Sequence, residues 1–185
     1  MKEYVFAYGS LLNKASRERT FHTANVYNAY IKSNSGYLRT FNFRSETGFT
    51  ALGLTKSDNN KCKSIINGLI IEVENSQGFQ QLDSREVGYN RIDITEYVEV
   101  IFNQNDNNYD DNNANNNVNK KIWVYLPSIS NAKLADQEFP ICQTYVDTVL
   151  EGCLELGEKF TEEWILSTEG WSKYYLYDTP TSRRP

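Results

Sequence analysis

Nine consecutive residues, Ile65 to Val73 (Ile-Ile-Asn-Gly-Leu-Ile-Ile-Glu-Val), constrain the fold of this chain more than any other stretch. A run so rich in Ile and so poor in charge reads as a buried strand. Asn75 then offers an N-cap for a helix over Ser76 to Arg85, because its side chain can accept from an amide of the first turn. Gly78 lowers the propensity of that helix by about 1 kcal/mol relative to Ala, so tertiary packing has to hold it. Glu86 to Gly88 form the helix exit, with Gly88 free to take a positive φ. Strand character returns over Tyr89 to Phe102.

A second apolar run, Tyr4 to Tyr8, ends at Gly9 and suits a buried strand delivered into a tight turn. Asn13 is placed to cap a short helix over Lys14 to Phe21. From Ala24 to Leu54 the pattern is one of strands, with Tyr37, Arg39, Phe41 and Phe43 sharing one face and Gly36 and Gly48 as breaks. Ile122 to Leu126 is a further strand. Pro140 to Leu156 carries Ile141, Tyr145, Val149 and Cys153 at four-residue spacing, the pattern of an amphipathic helix ending near Gly157. Thr161 is read as the cap of a second helix running through Leu166. The tail, with Trp171, Tyr174, Tyr175 and Tyr177, is expected to pack across the sheet.

Between the strands ending at Phe102 and starting at Ile122 lies a tract, residues 103–119, in which ten of seventeen residues are asparagine. So polar a segment cannot bury enough surface to offset the entropy of ordering it. It reads as a disordered insertion in a strand connection, with a polar interaction module as the alternative. The expected organisation is one domain over residues 1–185, this insertion, and a helical and aromatic extension over residues 136–185.

The net charge of −5 owes three of its negative charges to that tract, and no basic stripe is present. This argues against nucleic acid or an anionic membrane as partner and favours a small soluble ligand. Cys62, Cys142 and Cys153 are widely spaced, with neither a CxxC nor a Cys/His cluster, so neither a disulfide framework nor a zinc site is indicated. Cys142 and Cys153 look like small core residues. The start of the chain lacks the patterns of a signal or transit peptide, and no window approaches the roughly 20 apolar residues of a membrane helix. A cytoplasmic protein is expected.

Two short segments carry chemistry. Tyr8-Gly9-Ser10-Leu11 follows the first strand, where a glycine turn can point several amides at one centre and hold a carboxylate. A plain structural turn is the alternative. In Leu82-Asp83-Ser84-Arg85-Glu86-Val87-Gly88-Tyr89, a partly buried Glu86 would have its pKa raised towards that of a general base. A salt bridge from Glu86 to Arg85 or Arg91 is the competing reading. His22, the only histidine, has no nucleophile motif near it.

Together, in this order, the two segments resemble the gamma-glutamylcyclotransferase family, including its AIG2-like and ChaC-like branches, over roughly Tyr4 to Leu126. The resemblance implies an α+β fold with a mixed, strongly curled, small barrel-like sheet and helices outside. It implies that Tyr8, Gly9, Ser10 and Leu11 cradle the α-carboxylate of a gamma-glutamyl substrate and that Glu86 is the catalytic acid/base. Tyr125 would line the pocket, with a core aromatic as the alternative. The implied reaction closes 5-oxoproline within the substrate and needs no cofactor or metal. Leu11 stands where several relatives carry Asn, and the departing group, whether amino acid, amine or the dipeptide of glutathione, is open.

Overall fold

The computed structural model describes residues 1–21, 25–57, 65–101 and 120–178. Its strands are β1 (Lys2–Ala7), β2 (Val26–Ile31), β3 (Tyr37–Arg44), β4 (Thr50–Lys56), β5 (Ile66–Val73), β6 (Tyr89–Asp93), β7 (Val98–Ile101), β8 (Lys120–Pro127), β9 (Ile141–Cys142), β10 (Thr168–Glu169) and β11 (Tyr175–Leu176). The helices are α1 (Lys14–Glu18), α2 (Ser76–Arg85), α3 (Gln143–Glu155) and α4 (Glu158–Leu166). His22, Cys62 and the asparagine tract lie outside the described residues.

Six strands form the main sheet in the order β6-β8-β1-β5-β2-β7, with β1 and β8 parallel and the other pairs antiparallel. The two isoleucine-rich and aromatic runs sit at its centre, where both faces are covered, and Val5, Phe6, Ile66, Leu69, Ile70 and Ile71 are almost wholly buried. Burying each such side chain stabilises by about 1.5–3 kcal/mol. β3 and β4 form a hairpin joined by β10 in a separate three-stranded sheet, and β9 pairs with β11.

The mixed α+β architecture follows the sequence, but the barrel-like curl does not. The main sheet is open among the described residues, because β6 and β7 each end an edge instead of pairing with one another. Closure demands a consistent stagger around every strand. Here the five-residue β6 and four-residue β7 are committed to β8 and β2 at opposite edges.

Local signals set the helix ends unevenly. Asn75 accepts from the Gly78 amide at 3.1 Å and starts α2 as expected, and Asn13 accepts from the Ser16 amide at 2.9 Å to start the short α1. The expected helix from Pro140 begins only at Gln143, since Ile141–Cys142 is used as a strand against Tyr175–Leu176. Thr161 is not a cap. It lies inside α4, its hydroxyl donating to Gly157 O at 3.0 Å, and the helix starts after Gly157, whose φ of 113° suits only glycine. The tail packs in pieces: β10 extends β3, and Trp171 packs tilted against Phe41 and edge-on to Trp164.

Candidate active site

At the end of β1 the chain turns sharply into a 3-10 turn, Ser10–Leu12, in which the Leu12 amide donates to Gly9 O at 2.9 Å. Such a turn leaves its first amides without an internal acceptor. Space at Gly9 is tight: a Cβ there would stand 3.0 Å from the Tyr145 hydroxyl, which would have to give way.

A cleft of about 50 Å³ opens over this turn, walled by Tyr8, Gly9, Ser10, Leu11, Leu52, Glu86, Tyr89, Tyr125 and Tyr145 with the end of β1. All six residues singled out in the sequence therefore meet at one place. They arrive on three different supports. The β1 end brings Tyr8 to Leu11, the exit of α2 brings Glu86, and β8 brings Tyr125.

Glu86 is placed by the end of α2. Its amide closes the helix on Leu82 O at 2.8 Å, and Gly88, with φ of 87°, turns the chain away into β6. A Cβ on Gly88 would also strike Asn131 Nδ2 at 2.7 Å. Burial pushes the Glu86 carboxyl above the ordinary glutamate value, and the neighbouring Arg85 offsets this only in part. Arg85 Nε stands 3.3 Å from Glu86 Oε1, so the salt-bridge reading and a raised pKa coexist. The rest of the Arg85 guanidinium is spent on Ser16 O, Ser16 Oγ and Thr20 Oγ1, at 2.8–2.9 Å, and on Ser10 Oγ at 3.3 Å. Arg85 thus ties the carboxylate to the turn. Arg91 pairs instead with Asp83.

The tyrosines are framework as much as lining. Tyr8 donates to Tyr125 O at 2.7 Å, Tyr125 to Asp83 Oδ1 at 2.6 Å and Tyr89 to Leu52 O at 2.8 Å. Tyr145 accepts from the Leu52 amide at 3.2 Å. The Tyr125 ring borders the cleft while its hydroxyl is committed to Asp83. Burial drives the hydroxyls of Tyr8 and Tyr89 well above the ordinary tyrosine value, so both stay protonated.

Leu52, Tyr89 and Tyr145 were not foreseen as site residues. Tyr89 adjoins the second motif and was within reach, but Tyr145 reads only as one residue of an amphipathic face. Two wider concavities are present, one of about 670 Å³ along α2 lined in part by Arg85, and one of about 420 Å³ lined in part by Asp83. Neither contains Glu86 or the Gly9 turn. Among the described residues no group of three His, Cys, Asp or Glu has the arrangement to hold a metal ion, and no helix is long and apolar enough to cross a membrane.

The chain matches no protein-family model and no curated protein sequence. Solved structures are similar to it. One described as a gamma-glutamyl cyclotransferase superposes with a TM-score of 0.60 at 16% identity, covering 95% of this chain and 94% of its own. The human uncharacterized protein loc79017 gives 0.58 at 16% identity, over 94% and 92%. A yeast gamma-glutamyl cyclotransferase specific to glutathione gives 0.52 at 12% identity, over 90% and 97%. At such identities the likeness is one of fold, and the fold is that of the gamma-glutamyl cyclotransferases.

Proposed function

We propose that the protein is a gamma-glutamyl cyclotransferase. The observation that carries this reading is the meeting of a carboxylate of raised pKa, Glu86, with the Gly9–Leu11 turn in one cleft. Amides at the turn hold the α-carboxylate of a gamma-glutamyl group, as preorganised donors hold an anion. Glu86 takes a proton from the α-ammonium, and the freed amine attacks the γ-carbonyl of the same residue. A five-membered lactam forms as the bond from the γ-carbon to the departing nitrogen breaks. Glu86 returns its proton to that nitrogen, and the second proton shed by the ring nitrogen also ends on the departing amine, releasing 5-oxoproline and an ammonium. Nucleophile and electrophile belong to one molecule, so holding the carboxylate and amine in place removes most of the entropic barrier.

The volume of about 50 Å³ suits one or two waters rather than a glutamyl group. Substrate entry therefore widens the cleft by movement of its side-chain walls and not of the β1 backbone. Incubation with glutathione, gamma-glutamyl amino acids and gamma-glutamyl amines, following 5-oxoproline, tests the reading. Product from wild type and none from Glu86→Gln supports it. Tight binding without product from every compound leaves a non-catalytic binding protein on the same fold.

A further inference from the structure

Two contacts reach the Tyr8–Asn13 turn from behind, both from the region after residue 136. In α4, the fully buried Trp164 donates its indole N–H to Tyr8 O at 3.2 Å. In α3, Gly152 packs so close that a Cβ would come within 2.3 Å of the Asn13 nitrogen and 2.5 Å of the Leu12 carbonyl carbon. Neither residue walls the cleft.

The carbonyl oxygen of one residue and the N–H of the next point to opposite sides of a trans peptide. With Tyr8 O drawn to Trp164, the Gly9 N–H faces away from α4. Trp164 is itself held fast. Its ring lies 4.9 Å from the guanidinium carbon of Arg39, its carbonyl accepts from Arg39 Nη2 at 2.9 Å, and Trp171 meets it edge-on at 6.2 Å.

We propose that Trp164, braced by Arg39, is a positioning residue that aims the Gly9 amide into the carboxylate site, with Gly152 fixing the far end of the same turn. This gives the C-terminal helices a task in binding. The amide orientation stands on the contacts alone, and its consequence for a substrate rests on the cyclotransferase reading.

Trp164→Phe keeps a ring and removes the indole N–H. In substrate-free protein, 15N spectra are expected to show the Gly9 and Ser10 amide resonances shifted and those amides more mobile, with the Glu86 titration unchanged. In turnover, KM is expected to rise about five- to tenfold, the size of one lost hydrogen bond, while kcat changes less than about twofold. Replacing Trp164 with 3-benzothienylalanine, which keeps the bicyclic shape but carries sulfur for N–H, gives the same result where Phe fails to fold. Unchanged Gly9 and Ser10 resonances in the replacement that folds overturn the proposal, as does a loss of kcat at constant KM. Shifted amides in a protein that releases no 5-oxoproline support the positioning and overturn only the cyclotransferase reading.

Discussion

Two charges near the β1 end, the wholly buried Arg39 and the partly buried Glu86, are treated in opposite ways. Arg39, wholly buried, donates to Asn67 O, Asn67 Oδ1, Thr168 Oγ1, Trp164 O and Ser167 Oγ at 2.6–3.0 Å. Burial lowers its pKa to about 9, so it still carries its proton at neutral pH. Among the described residues Glu86 has one ion-pair partner, Arg85, and its pKa is moved towards the neutral form. A charge whose hydrogen bonds are all made joins elements together, whereas a carboxyl with a raised pKa beside a cleft is the kind of group that a proton-transfer site uses.

The comparison breaks if the two residues exchange effects. Glu86→Gln is expected to lower 5-oxoproline release by a factor of about 10²–10⁴, the usual worth of a positioned acid/base, while melting at or above the wild-type temperature. Arg39→Met is expected to cost about 3 kcal/mol or more in denaturant unfolding, because it leaves several buried oxygens without donors. A stable Arg39→Met protein, or a Glu86→Gln protein that unfolds readily, would reverse the assignment.

A smaller effect sharpens the geometry between them. Gly9→Ala sets a methyl against the Tyr145 hydroxyl and is expected to reduce kcat/KM about tenfold or more with about 1 kcal/mol of destabilisation. An unaltered rate would mean that the turn does not contact substrate.

How far the site was legible follows from where each residue's information lies. Asn75, Gly88 and the run from Ile66 act through neighbours within a few residues, so α2, its exit and the central strand could be read directly. Tyr8 to Leu11 and Glu86 were legible as two ordered motifs. Tyr145, Leu52 and Trp164 reach the turn only through packing across more than forty residues of sequence, and nothing local marks them. The same holds for β9, which is a strand because of β11, and for the open edges of the main sheet.

The smallest expected effect is one of pH on stability. The folded protein binds the Glu86 proton more tightly than the unfolded chain does, so this group stabilises the fold at pH below the unfolded glutamate value. That stabilisation is lost as pH rises through the higher folded value. Unfolding free energies of Glu86→Gln relative to wild type should therefore increase with pH across this window and level off above it. A decrease would have the opposite sign.

Titration of the Glu86 carboxyl carbon by NMR in the substrate-free protein tests the account most directly. A midpoint above the ordinary glutamate value is predicted, matching the acid limb of kcat/KM. A midpoint at or below that value would mean that Arg85 prevails over burial, and it would contradict the role of Glu86 as the base.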